Sequence, residues 1–183
     1  MAGRHVALLR GINVGTAKRV AMADLRSLVE GLGYCDVSTL LNSGNVVFTV
    51  PTKAAKASPA KRIEQALVDR LGVTSRVLVL SAAELAVIVA GNPLEKVATD
   101  PSRLFVAVVF DGSALAALKP LSKQDWGQDR LALGTRAAYL WCVDGMTESR
   151  LAKAANRTLG DAATTRNWAT ILKLDALMRS APK

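Results

Sequence analysis

Apolar residues in the first 80 positions fall into short continuous runs and into stripes at helical spacing. His5 to Leu9 is such a run, closed by Arg10-Gly11, and predicts a strand followed by a loop. Met22, Leu25, Leu28, Val29 and Leu32 then recur on one helical face until Gly33, a residue suited to end a helix. Val37 to Leu41 and Asn45 to Val50 are β-prone runs separated by Asn42-Ser43-Gly44, a hairpin with turn residues where a turn needs them. Ser58-Pro59 supplies an N-cap and a proline at the first helical position, and Ile63, Leu67 and Leu71 carry the stripe to Gly72. Val77 to Leu80 is a further strand. The resulting order, β-α-β-β-α-β, is that of a ferredoxin-like unit, in which two helices cover one face of a four-stranded sheet.

Ser81 with Glu84 three residues on is a capping box for an Ala, Leu, Val and Ile helix that must end before Asn92-Pro93. This helix is expected to connect two halves. Beyond it lie a strand over Leu104 to Phe110, a short helix over Ser113 to Leu118, and a hairpin of Arg130 to Leu133 with Ala137 to Cys142 around Gly134. A helix over Met146 to Leu159 follows, and a last helix over Trp168 to Met178 carries Trp168, Ile171, Leu172 and Leu177. The order β-α-β-β-α thus recurs, as a repeat of pattern without visible repetition of residues. The expected division is an N-terminal subdomain over 1–80, a connecting helix over 81–93, and a C-terminal subdomain over 94–183 with an extra terminal helix.

The chain has 183 residues, half of them apolar, which excludes disorder and allows one or two cores. Lys and Arg number 24 against 15 Asp and Glu, a net charge of +9, while aromatic residues make up 4%. No apolar run reaches membrane-spanning length and Val6 to Leu9 is cut at once by Arg10, so neither a membrane segment nor a signal peptide is expected, and the cytoplasm is the expected location. Cys35 and Cys142 lie 107 positions apart and read as buried or half-buried thiols rather than a disulfide framework. His5 is the single histidine, so a histidine triad or multi-histidine metal site has one residue to draw on. No metal or cofactor is expected.

Four segments could carry chemistry. The loop from Arg10 to Arg19 combines Gly11 and Gly15 with the cations Arg10, Lys18 and Arg19. Converging N–H groups and a following helix would suit an anion there, although the spacing is neither a Walker loop nor a dinucleotide fingerprint. A tight strand-to-helix connection with solvated Lys18 and Arg19 fits the same residues. Asn42-Ser43-Gly44-Asn45 is what a hairpin requires with or without a ligand, and nothing in the order of elements obliges it to meet the first loop. Thr164-Thr165-Arg166-Asn167-Trp168 places donors before the last helix, either as an anion site or as a capped start with Trp168 anchored in the core. Arg150, Lys153 and Arg157 form a stripe opposite Leu151, Ala155 and Leu159, a solvated face or one that neutralises phosphates. Aromatic residues are too few for a base-stacking platform, and Trp126 and Tyr139 read as structural. Asp111-Gly112 and Asp144-Gly145 are turn dipeptides, and no carboxylate pair is marked as a general acid or base.

Leu8-Leu9-Arg10-Gly11-Ile12-Asn13-Val14-Gly15, Leu41-Asn42-Ser43-Gly44-Asn45-Val46-Val47-Phe48, and Thr164-Thr165-Arg166-Asn167-Trp168 with Lys173-Leu174 resemble the bacterial domain of unknown function 1697 family. The three motifs span nearly the whole chain. The resemblance implies an α+β fold of two ferredoxin-like subdomains and implies no activity. Thr16 stands where the family usually has glycine, adding a side chain to the loop, and Asn42 where it often has Gln.

The favoured expectation is a cleft between the subdomains that takes an anionic, phosphate-containing small molecule. Arg10, Lys18 and Arg166 would supply charge, Asn13, Asn45, Thr165 and Asn167 hydrogen bonds, and Ser43 a hydroxyl. This requires the first loop and the start of the last helix to converge. Nucleic-acid binding through Arg150, Lys153 and Arg157 is the alternative, and an enzyme of unassigned reaction is a third. The oligomeric state is not written in the sequence.

Overall fold

The computed structural model describes residues 3–14, 19–52 and 57–180. They divide into two compact units, Met1–Leu85 with Leu174–Lys183, and Ala86–Lys173.

The first unit opens with β1 (Gly3–Leu9), α1 (Met22–Gly31), β2 (Cys35–Leu40), β3 (Asn45–Val50), α2 (Pro59–Leu71) and β4 (Val77–Ser81). Its sheet has the order β2-β3-β1-β4 with every pair antiparallel. Leu25, Leu28 and Val29 of α1 and Ile63 and Leu67 of α2 bury against Ala7, Leu9, Val46 and Phe48 of the sheet. Tyr34 lies tilted on Phe48 with ring centroids 4.9 Å apart. Both helices end as their sequences predict: Gly33 N–H reaches Glu30 O at 2.9 Å, and Gly72 adopts φ 63° to close α2. In β3 the residues on both faces are buried, Val47 as completely as Val46 and Phe48. The edge strand β2 breaks register between Cys35 and Ser38, where Asp36 takes φ 52°.

After β4 comes α3 (Ala82–Ala90), started by the expected capping box. Glu84 Oε2 accepts from Ser81 N at 2.8 Å and from Ser81 Oγ at 2.9 Å, while Glu84 N donates to Ser81 Oγ at 3.3 Å.

The second unit holds β5 (Leu104–Val109), β6 (Arg130–Leu133), β7 (Ala137–Trp141), α4 (Arg150–Leu159) and β8 (Ala163–Asn167), followed by α5 (Trp168–Arg179). Its antiparallel sheet runs β6-β7-β5-β8, the same order as the first once strands are counted within the unit. Both sheets therefore have ferredoxin-like connectivity, which the sequence pattern predicts in full for the first unit and, without β8, in part for the second, and which the family resemblance implies for both.

Three local expectations need correction. Gly112–Leu118 is a 3₁₀ helix, not an α-helix, and a second short one covers Leu121–Lys123. Leu115, Leu118 and Leu121 recur every third residue, the period of a 3₁₀ turn, and Pro120 supplies no N–H to continue an α-helix. Met146 to Glu148 remain outside α4, because Ser149 caps it at Arg150 by accepting from Ala152 N at 2.9 Å. Ala163–Asn167, read as the approach to a helix, is instead a strand paired with β5. No described helix is long and apolar enough to cross a membrane.

Candidate functional site

The first loop and the hairpin turn meet at one end of the first sheet. Leu8 pairs with Asn45 and Leu9 with Val77, so the exit of β1 lies between the starts of β3 and β4. Leu9 N donates to Gly44 O, and Arg10 N to Arg76 O, each at 2.9 Å. Ser75 Oγ donates to the carbonyl of Arg10 at 2.8 Å.

Asn13 fixes the loop beyond. Its Nδ2 donates to Val20 O and to Asn42 O, both at 2.8 Å, and its Oδ1 accepts from Val20 N at 2.9 Å. One amide closes the loop on itself and ties it to the turn, from a left-handed backbone of φ 54° that asparagine tolerates. Gly44, at φ 74°, is the floor of this junction, since a Cβ there would stand 2.7 Å from Ile12 Cδ1 and 2.8 Å from Leu9 Cβ. Asn45 is buried, with Nδ2 donating to Leu40 O and Ser43 Oγ at 2.9 Å each. Asn13 and Asn45 thus build the site's frame.

Around that frame stand half-buried Arg10, exposed Arg19, exposed Ser43 and exposed Arg76. An open hollow of about 600 Å³ is lined by Asn13, Arg19, Val20, Ala21, Met22 and Asn42. Lys18, with Gly15, Thr16 and Ala17, lies outside the described residues. Ser75 and Arg76 are not among the sequence candidates. Their place follows from topology, because the strand they introduce runs antiparallel to β1 and starts where β1 ends.

The third motif behaves differently. Thr165 pairs with Ala107 and Arg166 with Val106, inside β8. Arg166 is buried, and its Nη1 donates to Thr164 Oγ1 at 3.1 Å and Thr165 O at 2.9 Å. Removal from water pulls its guanidinium down to about 10, since burial penalises the charged form. Asn167 is the cap of α5, with Oδ1 accepting from Thr170 N at 2.9 Å and Thr170 Oγ1 at 2.6 Å. Trp168 is buried edge-on to Tyr139, centroids 6.4 Å apart. The structure therefore gathers Arg10, Asn13, Ser43 and Asn45 in the first unit, and Thr165, Arg166 and Asn167 along one strand of the second.

Arg150, Lys153 and Arg157 are all exposed on α4, opposite the buried Leu151, Ala152, Ala155 and Leu159. Tyr139 donates to Ile88 O at 2.6 Å, and burial pushes its phenol up to about 12. Burial likewise raises the Cys142 thiol to about 11, whereas Cys35 is exposed. His5 stacks on Phe48 at 5.9 Å, with Nδ1 2.8 Å from Gly3 O. Among the described residues no group of three or more His, Cys, Asp or Glu is placed to hold a metal ion.

A family model described as "Protein of unknown function (DUF1697)" matches residues 2–139. That span contains the first two motifs and stops short of the third. No curated protein matches the chain. Among solved structures, a conserved bacterial protein from Streptococcus pneumoniae superposes with a TM-score of 0.79 at 21% identity, covering 98% of this chain and 100% of that one. The likeness is one of fold.

Proposed function

Because the chain belongs to the DUF1697 family of proteins of unknown function, its chemistry has to be read from its own residues, and we propose that it binds an anionic, phosphate-containing small molecule at the β1 exit of the first sheet. The observation that carries this reading is the Asn13 amide, which holds the glycine loop on the hairpin turn beside Arg10, Arg19, Ser43 and Arg76. Three guanidinium groups, Arg10 and Arg19 at the two ends of the first loop and Arg76 just ahead of β4, give a positive surface, and the junction that Asn13 makes with Val20 and Asn42 is already formed, which lowers the entropy cost of binding. The reading assigns no reaction.

The test is a thermal-shift and titration series with phosphorylated metabolites and nucleotides, since a ligand that binds only the folded state raises its apparent stability. Arg10→Ala and Arg76→Ala are each expected to weaken a binder about tenfold to a hundredfold, the loss of one charge-assisted hydrogen bond. A phosphate compound bound equally by both variants and by the wild type would sink the reading. Arg166→Met in the same series reports separately whether the second unit contributes.

A second reading has its own observation, the exposure of Arg150, Lys153 and Arg157 along one face of α4. Nucleic-acid binding there would lose affinity steeply as salt rises, with a shallower slope for each arginine or lysine removed. Oligonucleotide binding that ignores salt would eliminate it.

A further inference from the structure

At the opposite end of β1 from Arg10 the first unit holds a cavity of about 580 Å³, lined by Arg4, Arg26, Glu30, Asp36, Val37, Ser38, Leu177 and Ser180. Six residues of extended chain separate Arg4 from Arg10, about 20 Å at strand rise, so this cavity is distinct from the β1-exit site. Its volume lies within the range of small-molecule sites, while its lining is more polar than most, with two apolar side chains, Val37 and Leu177, among six polar or charged ones, as suits a charged ligand.

The charges in it divide into a satisfied pair and two incompletely satisfied groups. Arg26 Nε donates to Glu30 Oε1 at 2.8 Å, so that pair neutralises itself. Arg4 donates through Nη1 to the carbonyl of Ser180, but its Nε is buried without a hydrogen-bond partner. Asp36 is half-buried, and its carboxylate takes no hydrogen bond or ion pair among the described residues. It also sits at φ 52°, where the register of the edge strand breaks between Cys35 and Ser38. A bulge re-aims side chains, and a non-glycine residue at positive φ persists only where its surroundings hold it. The cavity wall thus presents one cation and one anion, with hydroxyls of Ser38 and Ser180 and the apolar faces of Val37 and Leu177.

A purely anionic ligand would meet the Asp36 carboxylate, and a purely cationic one the Arg4 guanidinium. A molecule carrying both charges meets neither repulsion. We infer that this cavity binds a small zwitterion of the amino-acid class, its carboxylate on Arg4, its ammonium on Asp36 and its side chain against Val37 and Leu177.

The experiment is a titration of the full chain with the free α-amino acids, followed by two analogues of the tightest binder, one lacking the ammonium and one lacking the carboxylate. Each analogue is expected to bind about tenfold to a hundredfold more weakly, one charged hydrogen bond being lost in each. Asp36→Asn suits the test because asparagine accepts the same left-handed backbone and keeps the fold. It should abolish the preference for the amino acid over the acid lacking the ammonium. Arg4→Lys should weaken the amino acid while a circular-dichroism melt confirms folding, and Arg10→Ala should leave this binding unchanged. No amino acid bound, or the acid lacking the ammonium bound as tightly as its parent, would overturn the inference. Loss of binding in Arg10→Ala would overturn it equally, by assigning the ligand to the β1-exit site.

Discussion

The two units share one strand order but cover their sheets by different means. In the first, the β1–β2 connection contains a full α-helix, whose Leu25, Leu28 and Val29 enter the core. In the second, the β5–β6 connection contains 3₁₀ turns, and Leu115 and Leu118 enter instead. A 3₁₀ turn places side chains every third residue on one line and has poorer hydrogen bonds, so it must draw its stability from what it buries. Connectivity, then, is set by the sheet, while the cover is free to vary provided it delivers leucines to the same face. Leu25 and Leu118, both fully buried, test this directly. Alanine at either is expected to cost about 3 to 5 kcal/mol in urea melts. A much smaller loss for Leu118→Ala would mean that the 3₁₀ cover is ornamental, and the comparison would break.

The turns differ in the same spirit. Gly44 in the first unit is enclosed, with Ile12 and Leu9 atoms inside 3 Å of where a Cβ would stand, whereas Gly145 in the second unit, at φ 88°, has nothing within 4 Å of that position. Gly145→Ala should therefore cost only the left-handed backbone penalty, about 1 to 2 kcal/mol. Gly44→Ala adds overpacking against a filled junction and should cost about 2 to 5 kcal/mol in all. Equal losses would show that the loop over Gly44 yields, and would remove the rigidity on which the proposed anion site rests.

These contrasts also explain what the sequence reveals and what it hides. Periodicity locates the helices of the first unit and most strands because their apolar faces are long and their turn residues conventional. It passes over β8, whose five residues include Thr164, Thr165, Arg166 and Asn167. A polar edge strand offers no alternation to detect, and an inward-pointing charge such as Arg166 is a feature by which edge strands avoid further pairing. The anion-site candidates Arg10, Asn13, Ser43 and Asn45 are legible as residue types. Their roles are not, because Asn13 acts through three hydrogen bonds to backbone that only the folded loop brings near. Arg76 escapes sequence reading for a topological reason, since its neighbour across the sheet is 66 positions earlier in the chain, at Arg10.

Burial of polar groups gives a third contrast, readable by titration. Tyr139 in the second unit is almost fully buried and its phenol lies near 12 rather than 10.0 because the ionised form is poorly solvated there. The folded state holds that proton more tightly than the unfolded chain, so this contribution to stability is complete below pH about 10 and is lost as pH rises toward 12. With Tyr34→Phe as background, the remaining phenol should ionise near pH 12 in the folded protein and near 10 in urea, followed by phenolate absorbance. A folded-state midpoint at 10 would mean that water reaches the Tyr139 hydroxyl and that its bond to Ile88 O does not hold.

The smallest expected effect concerns how the helices begin. In the second unit, Ser149 caps α4 and also donates to Asp129 Oδ2 at 2.7 Å. In the first unit, the N-cap position of α1 is Ala21, which has no side chain able to accept from the first-turn N–H groups. Ser149→Ala should cost about 1 to 2 kcal/mol, because both the cap and a partner of Asp129 go. Ala21→Ser should do the reverse and stabilise by about 1 kcal/mol, for the position is exposed and its backbone, φ −69° and ψ 139°, already has the extended conformation an N-cap requires. The two changes measured in one melt series sharpen the comparison, since they exchange the starting chemistry of one helix for that of the other. If Ala21→Ser brought no gain, the first-turn N–H groups of α1 would have to be satisfied already, and the helix would owe nothing further to a cap.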